Sequence, residues 1–160
     1  MSETLQETGC CPRFDPAPWT DQLLEWDSKP FVKARVSTLF YMPLNFGREI
    51  TRLMKETEAN QAASPDYICL SDHTSRWSMD IYLGVNKPVP SLSNTVLSGK
   101  FFSRVYEGPF RDTGKWMKDF QEECGRRGHT LKKAYMWYTT CPKCAKAYGK
   151  NYVVVIGSLA

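Results

Sequence analysis

The order of strand-like and helix-like patterns in this sequence repeats once, and the repeat limits the folds that the chain can adopt. Each half contains a run rich in β-branched and aromatic residues, then an amphipathic helical pattern, then two more strand-like runs. Pro43 in the first half corresponds to Pro109 in the second, about 66 residues later. The predicted elements are strands at 32–41, 67–70, 79–85, 96–106, 134–140 and 152–156, and helices at 46–60 and 110–126.

This repeat predicts an α+β fold. Strands joined largely by hairpins and accompanied by two helices favour an antiparallel sheet with the helices on one face. We therefore predict two strand–helix–strand–strand modules, at about 31–90 and 91–160, in a pseudo-twofold arrangement. Residues 1–30, which contain four prolines, are predicted to form an irregular arm with one or two helical turns over 21–26. A ligand cleft is expected between the modules, because pockets are common at such junctions.

Length and charge narrow the class of protein. A chain of 160 residues can bury a core without cross-links. Its net charge of +4 is scattered, and the longest basic cluster, at 126–133, is too short for a nucleic-acid-binding stripe. No segment approaches the ~20 apolar residues of a membrane span, and the first nine residues are too polar for a signal peptide. We expect a cytoplasmic protein with neither a nucleic-acid nor a membrane partner.

Two stretches are similar to a known family. Residues 96–110, VLSGKFFSRVYEGPF, place a small residue, Gly, Lys and an aromatic residue on a strand that ends in Gly-Pro-aromatic. Residues 80–85, DIYLGV, precede a turn with two prolines at 87–90. Both stretches resemble signature segments of the gyrase-inhibitor-like (GyrI-like) family of small-molecule-binding domains. With the repeat, the resemblance covers about residues 31–158.

The resemblance implies a function for the chain. GyrI-like domains hold bulky, flat and often cationic compounds in a cleft, as drug sensors, scavengers or hydrolases of cytotoxins. The segments CPRFDP at 11–16 and CPKCAK at 141–146 resemble a narrower subgroup of bacterial proteins classed as hydrolases. The chain departs from the family at Met136, where GyrI-like binders usually carry a glutamate two residues before a tyrosine.

Aromatic side chains on the predicted inner strands are candidates for ligand contact. Aromatic rings stack on planar ligands and attract cations above their faces. The same rings would also fill a core, and both interpretations stay open. The ligand-binding candidates are Trp77, Tyr82, Tyr135 and Trp137, and Tyr106 and Tyr138 belong to the same aromatic group.

Asp80, Glu107 and Tyr106 are the candidates for catalysis. Hydrolysis of an ester or a strained ring needs one group to orient water and another to stabilise the leaving oxygen. A carboxylate beside a tyrosine hydroxyl supplies both, and the alternative is a solvated carboxylate at a strand end. Tyr106 and Glu107 are neighbours, so they face opposite ways unless the turn that follows twists the strand. The two histidines, His73 and His129, belong to no Ser–His–Asp order or nucleophile elbow.

Cys141 and Cys144 form a Cys-x-x-Cys pair in the loop before the last predicted strand. With Cys11 from the arm they would supply thiolates for a tetrahedral zinc ion. A redox or disulfide pair and plain reduced thiols are the alternatives. The sequence requires no cofactor, and zinc is the one cofactor that it allows for.

The leading hypothesis is a protein that binds a planar xenobiotic, either cationic or neutral, and binding alone and hydrolysis of the bound compound both stay open. It would act as a monomer or homodimer, and the short arm leaves no room for a DNA-binding output domain. One alternative is a protein–protein inhibitor that uses the same cleft or an exposed strand edge. A thiol-redox or zinc-binding protein, resting on Cys141 and Cys144, is the other.

Overall fold

A computed structural model describes residues 14–40, 42–63, 68–139 and 149–160. These residues form antiparallel strands and two helices, which confirms the α+β class. Contacts between Cα atoms divide the chain into a central unit, Trp26–Gly99, and a terminal unit made of the residues up to Glu25 and from Lys100 onwards. The elements are β1 Gln22–Leu39, β2 Met42–Pro43, α1 Phe46–Ala59, β3 Cys69–His73, β4 Ser78–Gly84, β5 Ser93–Glu107, α2 Thr113–Arg126, β6 Leu131–Tyr138 and β7 Tyr152–Leu159.

The central unit has the strand order β2-β1-β4-β3, with every pair antiparallel. Helix α1 packs on one face of this sheet because its apolar side chains recur at helical spacing. Leu53 of α1 is fully buried, and Phe46, Ile50 and Met54 pack beside it. The sheet side chains in the same core are Val32, Ala34 and Val36 of β1 and Met79, Ile81 and Leu83 of β4.

The terminal unit contains α2 and the strand order β6-β7-β5, again antiparallel. Helix α2 buries Trp116, Phe120 and Cys124 against the sheet. Phe120 stacks on Phe102 of β5 with ring centroids 5.7 Å apart. The other buried members of this core are Met136, Val153 and Val155.

The second half of the predicted arm is a strand. Strand β1 begins at Gln22, ten residues before the predicted start, so 22–26 is extended and not helical. Prolines suggested an interruption here, yet Pro30 lies within β1 and its carbonyl accepts a hydrogen bond from the Val85 amide at 3.1 Å. A proline, which has no N–H to donate, is tolerated in a strand where its nitrogen faces no acceptor in the sheet.

Residues 14–21 lie in the terminal unit and pack on the sheet face opposite α2. The hydroxyl of Ser103 donates to the Trp19 carbonyl at 2.7 Å. Phe14 and Trp19 both contact Trp137 of β6 through their rings. Residues 14–21 are therefore attached to the rest of the terminal unit by ring contacts and a hydrogen bond.

Among the residues that the structure describes, no helix is long and apolar enough to cross a membrane.

Candidate functional site

Alternate side chains of the central sheet point away from α1 and form a layer of charged and aromatic groups, most of them buried. Since Val32, Ala34, Met79 and Ile81 face the helix, their neighbours along each strand face the other way. In the register of the sheet, Arg35 lies opposite Asp80 and Lys33 opposite Tyr82. We call this layer the Asp80 face; its members are Phe31, Lys33, Arg35, Leu70, Asp72, Asp80 and Tyr82.

Asp80 is a buried carboxylate with cationic neighbours. The residue is 5% exposed. Its Oδ2 lies 3.6 Å from the Lys33 Nζ, and its Oδ1 accepts a hydrogen bond of 3.4 Å from the Arg35 Nε. A carboxylate with so little water around it is stable only when cations or hydrogen-bond donors face it. The ion pairs with Lys33 and Arg35 therefore compensate for the burial of the Asp80 carboxylate.

Asp72 places a second carboxylate on the same face. It pairs with Asp80 across β3 and β4, and is itself 6% exposed. Side chains at directly opposed positions have Cβ atoms about 4.5–5.5 Å apart. The sequence pattern predicted a loop over 71–78, so Asp72 did not enter the candidate site. The structure extends β3 to His73 and thereby brings Asp72 to the site.

Tyr82 gives the Asp80 face its aromatic part. Its ring is 7% exposed and makes a T-shaped contact with Phe31, with centroids 6.3 Å apart. The Lys33 Nζ lies 5.4 Å from the Tyr82 centroid, and the Lys29 Nζ lies 5.9 Å from that of Phe31. Both distances are within the range of cation–π attraction. The rings of this face already hold ammonium groups.

A shallow depression of about 310 Å³ lies beside the Asp80 carboxylate. Its walls come from β1, β4, α1 and the start of β5, all in the central unit. The lining residues are Lys33, Ala34, Arg35, Arg52, Asp80 and Ser93.

The structure places the candidate Trp77 outside the Asp80 face. Trp77 lies in the loop before β4, where its carbonyl accepts a hydrogen bond from the Thr38 amide at 2.9 Å. Its side chain is 56% exposed and contacts Phe40, with ring centroids 5.2 Å apart. Trp77 therefore lies just before the beginning of β4, outside the group of side chains that contains Asp80 and Tyr82.

The candidates Tyr106 and Glu107 point to opposite sides of β5. The Tyr106 hydroxyl donates to the Asp119 Oδ2 at 2.6 Å, and its ring stacks on Trp116 in the α2 core. Burial, followed by the hydrogen bond to Asp119, raises the pKa of the Tyr106 hydroxyl far above its usual range. Glu107 is exposed. The two groups do not form the carboxylate–tyrosine pair that hydrolysis would need.

The candidates Tyr135 and Trp137 share one face of β6, as strand alternation predicts. They are 6% and 4% exposed. The Trp137 ring receives T-shaped contacts from Phe14 at 5.2 Å and Trp19 at 5.0 Å. The Lys133 Nζ lies 5.6 Å from the Tyr135 centroid. Trp137 thus packs against the chain's own aromatic residues in the terminal unit.

A network of charged groups around Arg104 was not predicted from the sequence. The Arg104 Nη1 donates to the Glu123 Oε2 at 2.6 Å and to the Asp21 Oδ1 at 3.1 Å. A hydrogen bond from Arg126, with nearby arginine charges, holds the pKa of Glu123 below its usual value. Arg126 and Arg127 also pair with acidic residues here, so the two arginines of the basic cluster noted in the sequence are engaged in ion pairs within the chain. This network joins β5 to α2 and to the segment before β1.

The predicted zinc ligands Cys11, Cys141 and Cys144 lie outside the described residues, and the zinc site stays a prediction. Within the described ranges, no cluster of three His, Cys, Asp or Glu side chains could hold a metal ion. Cys69 and Cys124 are the free cysteines found there. Burial raises the pKa of the Cys69 thiol to about 12 and also raises that of Cys124, so both remain protonated and unreactive.

The stability of the protein is expected to fall as the pH drops below about 6.5, the pKa of an unperturbed histidine. Burial lowers the pKa of His73, and the Asp72 charge only partly opposes this shift. The unfolded chain therefore binds a proton at a pH where the folded chain does not, and acid favours unfolding. The melting temperature, followed by circular dichroism between pH 8 and pH 5, should fall less steeply in His73→Gln. An equally steep fall in that variant would contradict the assignment.

Comparison with known proteins places the chain in a family. Residues 1–159 match the profile of a family described as bacterial hydrolase. The chain belongs to the bacterial hydrolase family. No curated protein matches the sequence significantly.

Solved structures share the fold of this family member at low sequence identity. The C-terminal domain of EcmrR superposes with a TM-score of 0.64 at 8% identity, over 88% of this chain and 97% of that one. A hydrolase from Listeria innocua gives 0.61 at 8% identity, over 89% and 92%. SAV2435, solved with bound tetraphenylphosphonium, gives 0.54 at 12% identity, over 88% and 93%. At these identities the likeness establishes the fold alone.

Proposed function

We propose that this protein binds a lipophilic organic cation on the Asp80 face, as a GyrI-like small-molecule-binding protein. One observation carries the proposal: the buried carboxylate of Asp80 and the ring of Tyr82 lie on one face, and the ammonium of Lys33 contacts both. A face that already attracts an internal cation at a carboxylate and a ring has the chemistry to attract an external one.

The physical basis is the combination of charge and aromatic surface. A cation over a ring gains about 0.5–2 kcal/mol, with the larger values at desolvated sites. A carboxylate largely removed from water attracts a cation more strongly than one in bulk solvent. Compounds with a delocalised charge and aromatic groups lose little hydration on entering such a site. The complex of SAV2435 with tetraphenylphosphonium supports this ligand class, because that protein has the same fold.

The test compares two probes of the same shape and opposite charge. Tetraphenylphosphonium is expected to bind saturably in equilibrium dialysis, whereas tetraphenylborate is not, because its negative charge faces Asp80. Asp80→Asn keeps the shape of the side chain and removes the charge, so it should weaken phosphonium binding at least tenfold, about 1.4 kcal/mol. Glu107→Gln, which removes an exposed carboxylate from the terminal unit, serves as the matched control and should bind as the parent does.

Three results would refute the proposal. The first is an equal affinity for both probes, which would show that apolar area alone holds them. The second is full phosphonium binding by Asp80→Asn in a folded protein. The third is that neither probe binds, which would favour a protein partner instead of a small-molecule ligand.

Hydrolysis of the bound compound is a second candidate function, favoured by the opposed carboxylates Asp72 and Asp80. In an ester substrate, one carboxylate would accept a proton from water while the water oxygen attacks the carbonyl carbon. The Tyr82 hydroxyl, two residues from Asp80 on the same face, would donate a proton to the leaving oxygen as the C–O bond breaks. The alcohol and acid that form contain together one water more than the ester. The family to which the chain belongs supports this reaction class.

Mass spectrometry tests hydrolysis directly. Cationic aromatic esters incubated with the protein should yield acid and alcohol products, and Asp72→Asn and Asp80→Asn should each suppress them. Measuring phosphonium binding by Asp72→Asn separates the two roles, since this variant should keep most of the affinity that Asp80 supplies. Product formation that persists in both variants would exclude the carboxylate pair.

A further inference from the structure

The position of Lys33 determines how a cation can enter the Asp80 face. Its Nζ lies 3.6 Å from the Asp80 Oδ2 and 5.4 Å from the Tyr82 ring centroid. These are the two contacts that the proposed ligand would make. We infer that Lys33 is a resident cation, which competes with the ligand for its site and sets its affinity; this inference rests on the proposed cation-binding function.

The register of the sheet explains why Lys33 reaches both groups. On β1 it lies directly opposite Tyr82, and Asp80 lies two residues away on β4, on the same face. The aliphatic stem can therefore lie along the face while the ammonium reaches the carboxylate. The Lys33 side chain is 40% exposed, so the ammonium can turn into solvent without a large rearrangement.

Arg35 has a different place at the same carboxylate. Its Nε bonds to the Asp80 Oδ1, its side chain is 68% exposed, and no ring of the described residues is recorded beneath it. When Lys33 leaves, Arg35 still pairs with the Oδ1 of Asp80, while the Oδ2 of Asp80 and the ring of Tyr82 lose their contacts with the ammonium. The ligand then replaces one cation with another, and the charge of the face is conserved.

The competition predicts that removing the lysine charge strengthens binding. A partly exposed ion pair and a single cation–π contact are each weak, and together they correspond to a change of about tenfold in affinity. Lys33→Met should bind tetraphenylphosphonium about tenfold more tightly than the parent in equilibrium dialysis. Lys33→Arg, which keeps a cation, should stay within about threefold of the parent affinity.

Lys133→Met is the matched control. Lys133 also lies over a tyrosine, with its Nζ 5.6 Å from the Tyr135 centroid, but in the terminal unit. The substitution removes the same charge and leaves the Asp80 face intact, so the affinity should not change. A gain in Lys133→Met equal to that in Lys33→Met would show that net charge is responsible, and would overturn the inference.

The other outcomes separate this inference from the proposed function. If the parent protein binds the phosphonium and a folded Lys33→Met binds it no more tightly, the competition is overturned while the proposed function stands. Binding by neither protein would overturn both. Binding by Lys33→Met alone would support the competition by Lys33 and would refute cation binding as the function of the parent protein.

Chemical modification of Lys33 distinguishes a lysine that the ligand displaces into solvent from a lysine that folds over the ligand. If the ligand displaces the ammonium into solvent, acylation of Lys33 by acetic anhydride should become faster when tetraphenylphosphonium is bound. A lysine that folds over the ligand would instead be protected, and slower acylation would contradict the inference. Peptide mass spectrometry measures both rates, with Lys133 in the same sample as the internal reference.

Discussion

Trp137→Ala is expected to lower the free energy of unfolding by about 3–5 kcal/mol, the range for removing a buried tryptophan side chain. Trp137 is 4% exposed, and its ring contacts Phe14 at 5.2 Å and Trp19 at 5.0 Å, nearly perpendicular in each case. Edge contacts of this kind add about 0.5–1.5 kcal/mol to the burial of apolar area. Truncation would leave a cavity under residues 14–19 and loosen their attachment. Urea unfolding followed by far-ultraviolet circular dichroism measures the loss.

The control for this change is Trp77→Ala. Trp77 is 56% exposed, and a surface substitution usually changes stability by less than about 0.5 kcal/mol. A ligand role for Trp137, as the sequence suggested, would instead appear as weaker phosphonium binding by protein that is still folded. A stable Trp137→Ala variant with reduced affinity would therefore reverse our assignment of this residue to packing.

The helices could be predicted from the sequence because their apolar side chains follow the helical period without interruption. Residues 46–60 were predicted and α1 spans Phe46–Ala59. The predicted second helix began three residues early, since Phe110–Asp112 forms a short 3-10 turn before α2. Local periodicity is therefore enough to identify these two helices.

The start of β1 could not be predicted, because its first residues become a strand only through pairing with distant segments. Between Gln22 and Pro30 the sequence has little alternation, and Ser28 adopts a positive φ of 53°. The amide of Ser28 donates a hydrogen bond of 2.7 Å to the hydroxyl of Ser98, which lies far along the chain. Interactions between residues so far apart in sequence leave no local pattern.

Some residues of the candidate site could be predicted from the sequence, but most of the contacts between them could not. Asp80 and Tyr82 share a face through strand alternation alone, so the sequence could join them. The contributions of Lys33 and Asp72 depend on the registers of β1 and β3 against β4, which a single sequence does not specify. Tyr106 shows the converse, because only the position of α2 directs its hydroxyl to Asp119.

Gly157→Val is expected to destabilise the protein by about 3 kcal/mol, at the upper end of the usual cost of overpacking. Gly157 lies in β7 beneath α2, and a Cβ added there would come within 2.5 Å of the Leu131 Cδ1 and 2.8 Å of the Phe120 Cε2. Phe120 is fully buried and stacked on Phe102, so its ring cannot move aside without opening that contact. The helix must therefore shift outwards, and urea unfolding should show a lower midpoint.

Gly125→Ala is the control that separates steric overlap at Gly157 from the general effect of replacing a glycine. Gly125 is exposed on α2, and a Cβ there would meet nothing within 4 Å. Alanine favours the helix over glycine by about 1 kcal/mol, so this change should stabilise the protein. The two substitutions should change the free energy of unfolding in opposite directions. Gly157→Val adds atoms where α2 touches β7, whereas Gly125→Ala adds a methyl group on the solvent side of α2. If Gly157→Val were as stable as the parent, α2 would not be held against β7 as closely as these distances require.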